Sequence, residues 1–146
     1  MYYSCMNDTE VGQPTKHLDT ILQTAHALEA RLEAALDEAG LSGAKFSVLS
    51  ELVRSGEPLP LSELASRLAC VRSNMTQLVD RLEADGLVRR VADPNDRRSV
   101  KAQITREGEK RQADGAQRVD ALERGLAALV SGADAAALHR MLDALR

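Results

Sequence analysis

The sequence predicts a mainly α-helical chain with one small β-wing, and three observations predict it. Apolar residues recur in steps of three and four from Leu18 to Ala39, and again from Val119 onward, which is the period of an amphipathic helix. Between those stretches, two shorter helical patterns are joined only by Ala69-Cys70-Val71. Two β-prone runs, Leu87–Val91 and Val100–Ile104, then bracket a loop dense in Asp, Arg, Pro and Asn. Helix, turn, helix and hairpin in that order make a winged helix-turn-helix, here flanked by N- and C-terminal helices.

Each element has its own signal. Residues 1–14 show no periodicity and read as a flexible arm, with Met1 and Met6 both candidate starts. Residues 15–39 carry the stripe Leu18, Ile21, Ala25, Leu28, Leu32, Ala35, Ala39, stopped by Gly40. Ser42 caps a helix to about Arg54 whose buried side is Phe46, Val48, Leu49, Leu52 and Val53. Glu57-Pro58-Leu59-Pro60 cannot be helical, because proline lacks a donor and restricts its predecessor. Leu61 is expected to form a brief strand, and Ser62 to cap a third helix with Leu64, Ala65 and Leu68 inward. The fourth helix runs from Arg72 to about Asp85, burying Met75, Leu78, Val79 and Leu82, and Gly86 stops it. The wing loop is Ala92 to Ser99. Thr105 caps a helix to about Val130, polar early and interrupted by Gly108 and Gly115. After Ser131-Gly132, Leu138, Met141, Leu142 and Leu145 define a last amphipathic helix.

With 146 residues the chain fits one domain, 1–146, built as a winged-helix unit (42–105) held between terminal helices at 15–39 and 106–146. Terminal helices with apolar stripes need a surface to cover them, each other or a second copy, so these are the dimerisation helices of an expected homodimer. The net charge of −3 conceals a split. Residues 1–61 carry four Lys or Arg against nine Asp or Glu, whereas residues 62–105 carry eight against six. From Gly86 to Arg106, Arg89, Arg90, Arg97, Arg98, Lys101 and Arg106 face only Asp93 and Asp96, a candidate phosphate footprint.

Several classes of function are disfavoured. No apolar run spans a membrane and no signal-peptide core is present, so a cytoplasmic protein is expected. His17, His26 and His139 are scattered and Cys5 and Cys70 are far apart, so neither a metal site nor a disulfide framework is expected. No nucleophile–base arrangement or phosphate loop suggests an enzyme, and no cofactor is implied. Aromatics are limited to Tyr2, Tyr3 and Phe46, none on the expected reading element, which favours double-stranded DNA over single strands.

The fourth helix presents a polar face opposite its apolar one. Arg72, Ser73, Asn74, Thr76, Gln77 and Arg81 are the candidate DNA contacts there, and Arg97 and Arg98 those on the wing. Cys70, just ahead of a helix N-terminus, is a possible redox residue, although a buried structural cysteine is the simpler reading. A winged helix serving protein contacts, or a cysteine-based redox regulator, are the alternatives.

The segment LSELASRLACVRSNMTQLVDRLEADGLVRRVADPNDRRSVKAQIT resembles the MarR family of bacterial transcription regulators. It shares the recognition helix ending in Leu-Val-Asp-Arg-Leu-Glu, the wing Asp-x-Arg at Asp96-Arg97-Arg98 and the closing pair Ile104-Thr105. The resemblance implies a homodimer whose two winged helices straddle a pseudo-palindromic operator, a repressor released by a small-molecule effector. It implies that Arg98 enters the minor groove, that Asp96 orients it, and that Arg72, Ser73, Thr76 and Gln77 face the major groove. Val71 stands where the family often has a capping serine, and Cys70 where an aliphatic residue is usual. Cys5 does not match the sensing cysteine of the family's peroxide branch.

Overall fold

Helix ends fall where the sequence supplies caps. The computed structural model describes residues 17–93, 96–130 and 132–144. Helix α1 (His17–Asp37) leads through a short turn into α2 (Gly43–Ser55). Ser42 caps α2 by accepting from Lys45 N at 3.3 Å, and the Glu33 carboxylate of α1 accepts from Gly43 N at 3.0 Å. Two otherwise unmatched amides are thereby satisfied, and the carboxylate sits favourably at a helix N-terminus.

Strand β1 is Leu59–Pro60 and helix α3 is Leu61–Arg67. The strand thus ends one residue earlier than expected, and Ser62 lies inside the helix rather than capping it. Pro60 is the N-cap, with extended backbone and no side-chain cap bond. The sheet decides this: Leu59 pairs with Ala102 and Pro60 with Lys101, so the chain turns helical as soon as that pairing is made. Helix α4 is Arg72–Ala84. Gly86 follows at φ 71°, a left-handed position that glycine occupies without strain.

Strands β2 (Val88–Asp93) and β3 (Asp96–Ile104) reach further into the wing than β-propensity indicated, absorbing most of the expected Ala92–Ser99 loop. Cross-strand pairing carries the extension: regular from Val88↔Ile104 to Ala92↔Val100, then shifted to Asp93↔Asp96. The antiparallel sheet is ordered β1-β3-β2. Helices α5 (Arg106–Leu129) and α6 (Ala133–Asp143) complete the described chain.

One core lies beneath α2, α3, α4 and the sheet, with Leu36, Val48, Leu49, Leu52, Leu64, Met75, Val79, Leu82, Leu87, Val88 and Ala102 buried. Val53, expected inside, is exposed; next to buried Leu52, it lines an open cleft rather than this core. The two glycines that interrupt the α5 pattern mark its closest approaches. A methyl group at Gly108 would stand 2.1 Å from Leu87 O, and one at Gly115 would stand 2.9 Å from the Phe46 ring. By contrast Leu18, Ile21, Leu22, Leu129, Leu138, Met141 and Leu142 are exposed on the terminal helices. Among the described residues no helix is long and apolar enough to cross a membrane.

Candidate nucleic-acid interface

The apolar spacing of α4 fixes which way it faces. Met75, Val79 and Leu82 are fully buried, so Arg72, Ser73, Asn74, Thr76, Gln77 and Arg81 are all turned to solvent. One face therefore gathers guanidinium, amide and hydroxyl groups, the types that read base edges. Thr76 Oγ1 donates back to Arg72 O at 3.1 Å, leaving its oxygen to act outward as an acceptor.

The turn before α4 is tight. Cys70 N donates to Ala65 O at 2.8 Å, and Ala69 takes φ 48°, a left-handed conformation costing a non-glycine residue about 1–2 kcal/mol. Cys70 is half-buried against the core, with its thiol 3.6 Å from Val71 O. Val71 is the N-cap of α4 and makes no side-chain cap bond. Its carbonyl accepts from Met75 N at 3.0 Å, which leaves the preceding amides of the first turn without intrahelical partners.

The wing's positive charge is less free than counting suggested. Arg90 pairs with Asp80 at 2.6 Å and Glu83 at 2.7 Å, and Lys101 with Asp93 at 3.1 Å. Arg89 Nε donates to the neutral Gln103 Oε1 at 2.9 Å and so keeps its charge, while Arg106 is exposed. Asp96, Arg97 and Arg98 begin β3, and their side chains lie outside the described residues, as do Cys5 and Leu145.

Behind the interface a buried carboxylate ties α2 to α3. Glu51, 7% exposed, accepts from Arg67 Nη1 at 2.7 Å and from Arg54 Nη2 at 2.7 Å, and Arg67 also pairs with Glu63. The Arg67 and then the Arg54 hydrogen bonds hold Glu51 below the usual carboxylate range, against the opposing effect of burial. Thr105 joins α4 to α5: its hydroxyl donates to Gly86 O at 2.8 Å and accepts from Gly108 N at 3.0 Å. Single-sequence reasoning found the Thr105 cap but neither charge network. Glu51 reads as one more acid on an amphipathic helix, and Arg90 as one more wing cation. No periodic signal couples residues 16 or 10 positions apart.

A cleft of about 370 Å³ opens between the winged-helix unit and α5, floored by Leu52, Val53, Ile104 and Ala113 and rimmed by Glu57, Gln103, Glu109 and Gln112. Among the described residues no His/Cys/Asp/Glu cluster is arranged to hold a metal.

A helix-turn-helix with an exposed polar second helix and an adjoining β-hairpin defines a winged-helix protein. Residues 41–100 match the sequence profile of the MarR family. The chain is 30% identical over 100 residues to the HTH-type transcriptional regulator FarR of Neisseria gonorrhoeae, covering 68% of each chain. It is 41% identical over 71 residues to the uncharacterized HTH-type transcriptional regulator YkoM of Bacillus subtilis (strain 168), 49% of this chain and 46% of that one. Among solved structures, CouR of Rhodococcus jostii RHA1, bound to p-coumaroyl-CoA, superposes with a TM-score of 0.72 at 28% identity over 89% of both chains. The chain spans about half the length of the first curated relatives it matches. It belongs to the MarR family, and the relatives named are transcriptional regulators rather than enzymes.

Proposed function

We propose that the protein is a cytoplasmic, sequence-specific double-stranded DNA-binding regulator, a homodimeric repressor released by a small-molecule effector. The observation that carries this reading is the recognition helix: three buried apolar side chains aim six polar ones outward beside a β-wing. In this reading one domain spans 1–146, with 42–105 reading DNA and the terminal helices pairing two copies. Arg72, Ser73, Asn74, Thr76, Gln77 and Arg81 meet the major groove, Arg97 and Arg98 the phosphates and minor groove, and Asp96 orients Arg98.

The exposed leucines of α1, α5 and α6 support the dimer, since together they form more apolar surface than isolated exposed residues account for. The cleft against α5 supports an effector site, and CouR supplies the example of a relative that takes an acyl-CoA ligand. Among the described residues the half-buried Cys70 thiol has no polar partner beyond a weak contact to Val71 O, so no observation favours redox sensing.

The test is selection of a duplex from a random-sequence pool, followed by titration at several salt concentrations. The recovered site should contain inverted half-sites about 10 bp apart. Gln77→Ala should lose about 1–3 kcal/mol on the selected duplex alone, with little change in salt slope. Arg98→Ala should weaken selected and scrambled duplexes alike and lower the slope by about one counterion per site. Recovery of no duplex would transfer the winged helix to protein contacts.

A further inference from the structure

Arg90 counts as a phosphate-seeking cation by composition, yet its surroundings give it different work. It lies on β2, paired with Ala102 in the ladder, so its backbone position is set by β3. Its side chain is 28% exposed and turns toward the recognition helix. Nη2 meets Asp80 Oδ1 at 2.6 Å and Nη1 meets Glu83 Oε2 at 2.7 Å. Its backbone amide also donates to Glu83 Oε1 at 3.0 Å, so one carboxylate grips both the main chain and the side chain of the same residue.

A single exposed pair contributes little, but one guanidinium, itself only partly exposed, that forks onto two exposed carboxylates fixes orientation as well as distance. Asp80 and Glu83 are three residues apart on α4, so both anchor one face of the helix. Their turns follow directly on the one bearing Thr76 and Gln77. A rotation of α4 about its axis would swing those base-facing side chains, and the Arg90 fork resists that rotation. A phosphate, in turn, would meet a guanidinium whose charge two carboxylates already offset.

We propose that Arg90 is a positioning residue of the DNA-reading unit: it locks the recognition helix to the wing strand and makes no phosphate contact of its own. The proposal rests on the DNA-binding reading above, and its experiment separates the two. Affinities are measured on the duplex selected by the wild-type protein and on a scrambled duplex, at several salt concentrations. The variants are Arg90→Met, Arg90→Lys and the doubly neutralised Asp80→Asn/Glu83→Gln.

Positioning requires that Arg90→Met lower the selected-to-scrambled affinity ratio about tenfold, or 1.4 kcal/mol, with the salt slope unchanged. The carboxylate variant, which keeps the Arg90 charge, must lower the ratio as well, and Arg90→Lys must restore part of it. A phosphate contact gives the reverse pattern. Arg90→Met then weakens both duplexes equally with a slope smaller by about one, and freeing Arg90 of its carboxylates tightens both. Amide hydrogen exchange on the free protein supplies a readout that needs no DNA. Arg90→Met should speed exchange in residues 80–93 while leaving the α2 amides protected. Unchanged exchange there would overturn the lock even if no duplex were selected, and uniformly faster exchange would reduce Arg90 to a general stabiliser. Should Arg90→Met fail to fold, Glu83→Gln alone carries the same comparisons.

Discussion

The winged-helix unit and the terminal helices carry the same sequence signal and meet opposite fates. On α4 the apolar positions at three- and four-residue spacing, Met75, Val79 and Leu82, are fully buried. On α1 and α5 the same spacing leaves Leu18 69% and Leu129 76% exposed. Polar groups do not divide in the same way: Glu51, Arg67 and Arg90 are engaged in multi-contact networks within the unit, and where α5 passes the turn after α1, Arg118 holds Glu38 and Asp114 while Arg111 holds Glu107 and Ala39 O. Periodicity thus reports that a face must be covered, and only the fold tells whether this chain covers it. The core of the unit is closed within this chain, Leu36 of α1 included, whereas the stripes at the far ends of the terminal helices stay open to solvent.

The strongest way to break that contrast is to truncate one leucine from each region. Leu82→Ala should cost about 2–5 kcal/mol and lower the melting temperature on the order of 10 °C, whatever the protein concentration. Leu129→Ala should change intrinsic stability by under about 0.5 kcal/mol and appear instead as weaker self-association in sedimentation. Equal, concentration-independent losses would erase the distinction. Next in size is Gly108→Ala, because a methyl group 2.1 Å from Leu87 O forces α5 off the link between α4 and β2. Overpacking of this kind costs about 1–3 kcal/mol, and denaturant titration should show it. Gly125, with nothing within 4 Å of its added methyl among the described residues, should take alanine with no loss.

The buried carboxylate sharpens the contrast through pH. Glu51 is held below its usual value of 4.5, first by the Arg67 hydrogen bond and then by that of Arg54. A group whose pKa is lowered by folding contributes stability above its unfolded value and loses it as pH falls through the folded one. The wild-type advantage over Glu51→Gln should therefore be constant above about pH 4.5 and shrink below it, measured by urea midpoints across that range. An advantage that grows on acidification would mean that Glu51 is destabilised, not held, by its surroundings.

What the sequence made legible follows from range. Caps and stops act within a few residues, so Ser42, Gly86 and Thr105 were readable and stand where expected. Winged-helix order was readable because its helices and strands each carry their own period. Boundaries decided by pairing between distant segments were not. Leu61 enters a helix because Leu59 and Pro60 meet β3, and the wing strands lengthen because each supports the other. Charge counting located the basic hairpin but not the neutralisation of Arg90 by Asp80 and Glu83, a matter of side-chain geometry. Gly108 and Gly115 read as weaknesses in the helical pattern of α5 and are its contact points with Leu87 and Phe46.

The smallest expected effect is the most pointed, because it concerns an open end within the closed unit. Val71 holds the N-cap of α4 with φ −66° and ψ 140°, the extended geometry from which a short hydroxyl side chain bonds an amide two or three residues on. Valine offers no such oxygen, and at 66% exposed it gains little from burial either. Val71→Ser should therefore stabilise the isolated protein by about 0.5–1 kcal/mol, raising the melting temperature by a few degrees. Serine's oxygen would also occupy one of the first-turn amides that α4 otherwise presents at its positive end, where a DNA phosphate is favoured. The same substitution should then bring no matching gain on duplex DNA, so the stability gain and the change in affinity should separate. A variant that is no more stable than wild type would show that those amides are already satisfied. One that gains equally in stability and in DNA affinity would show that the open cap plays no part in binding.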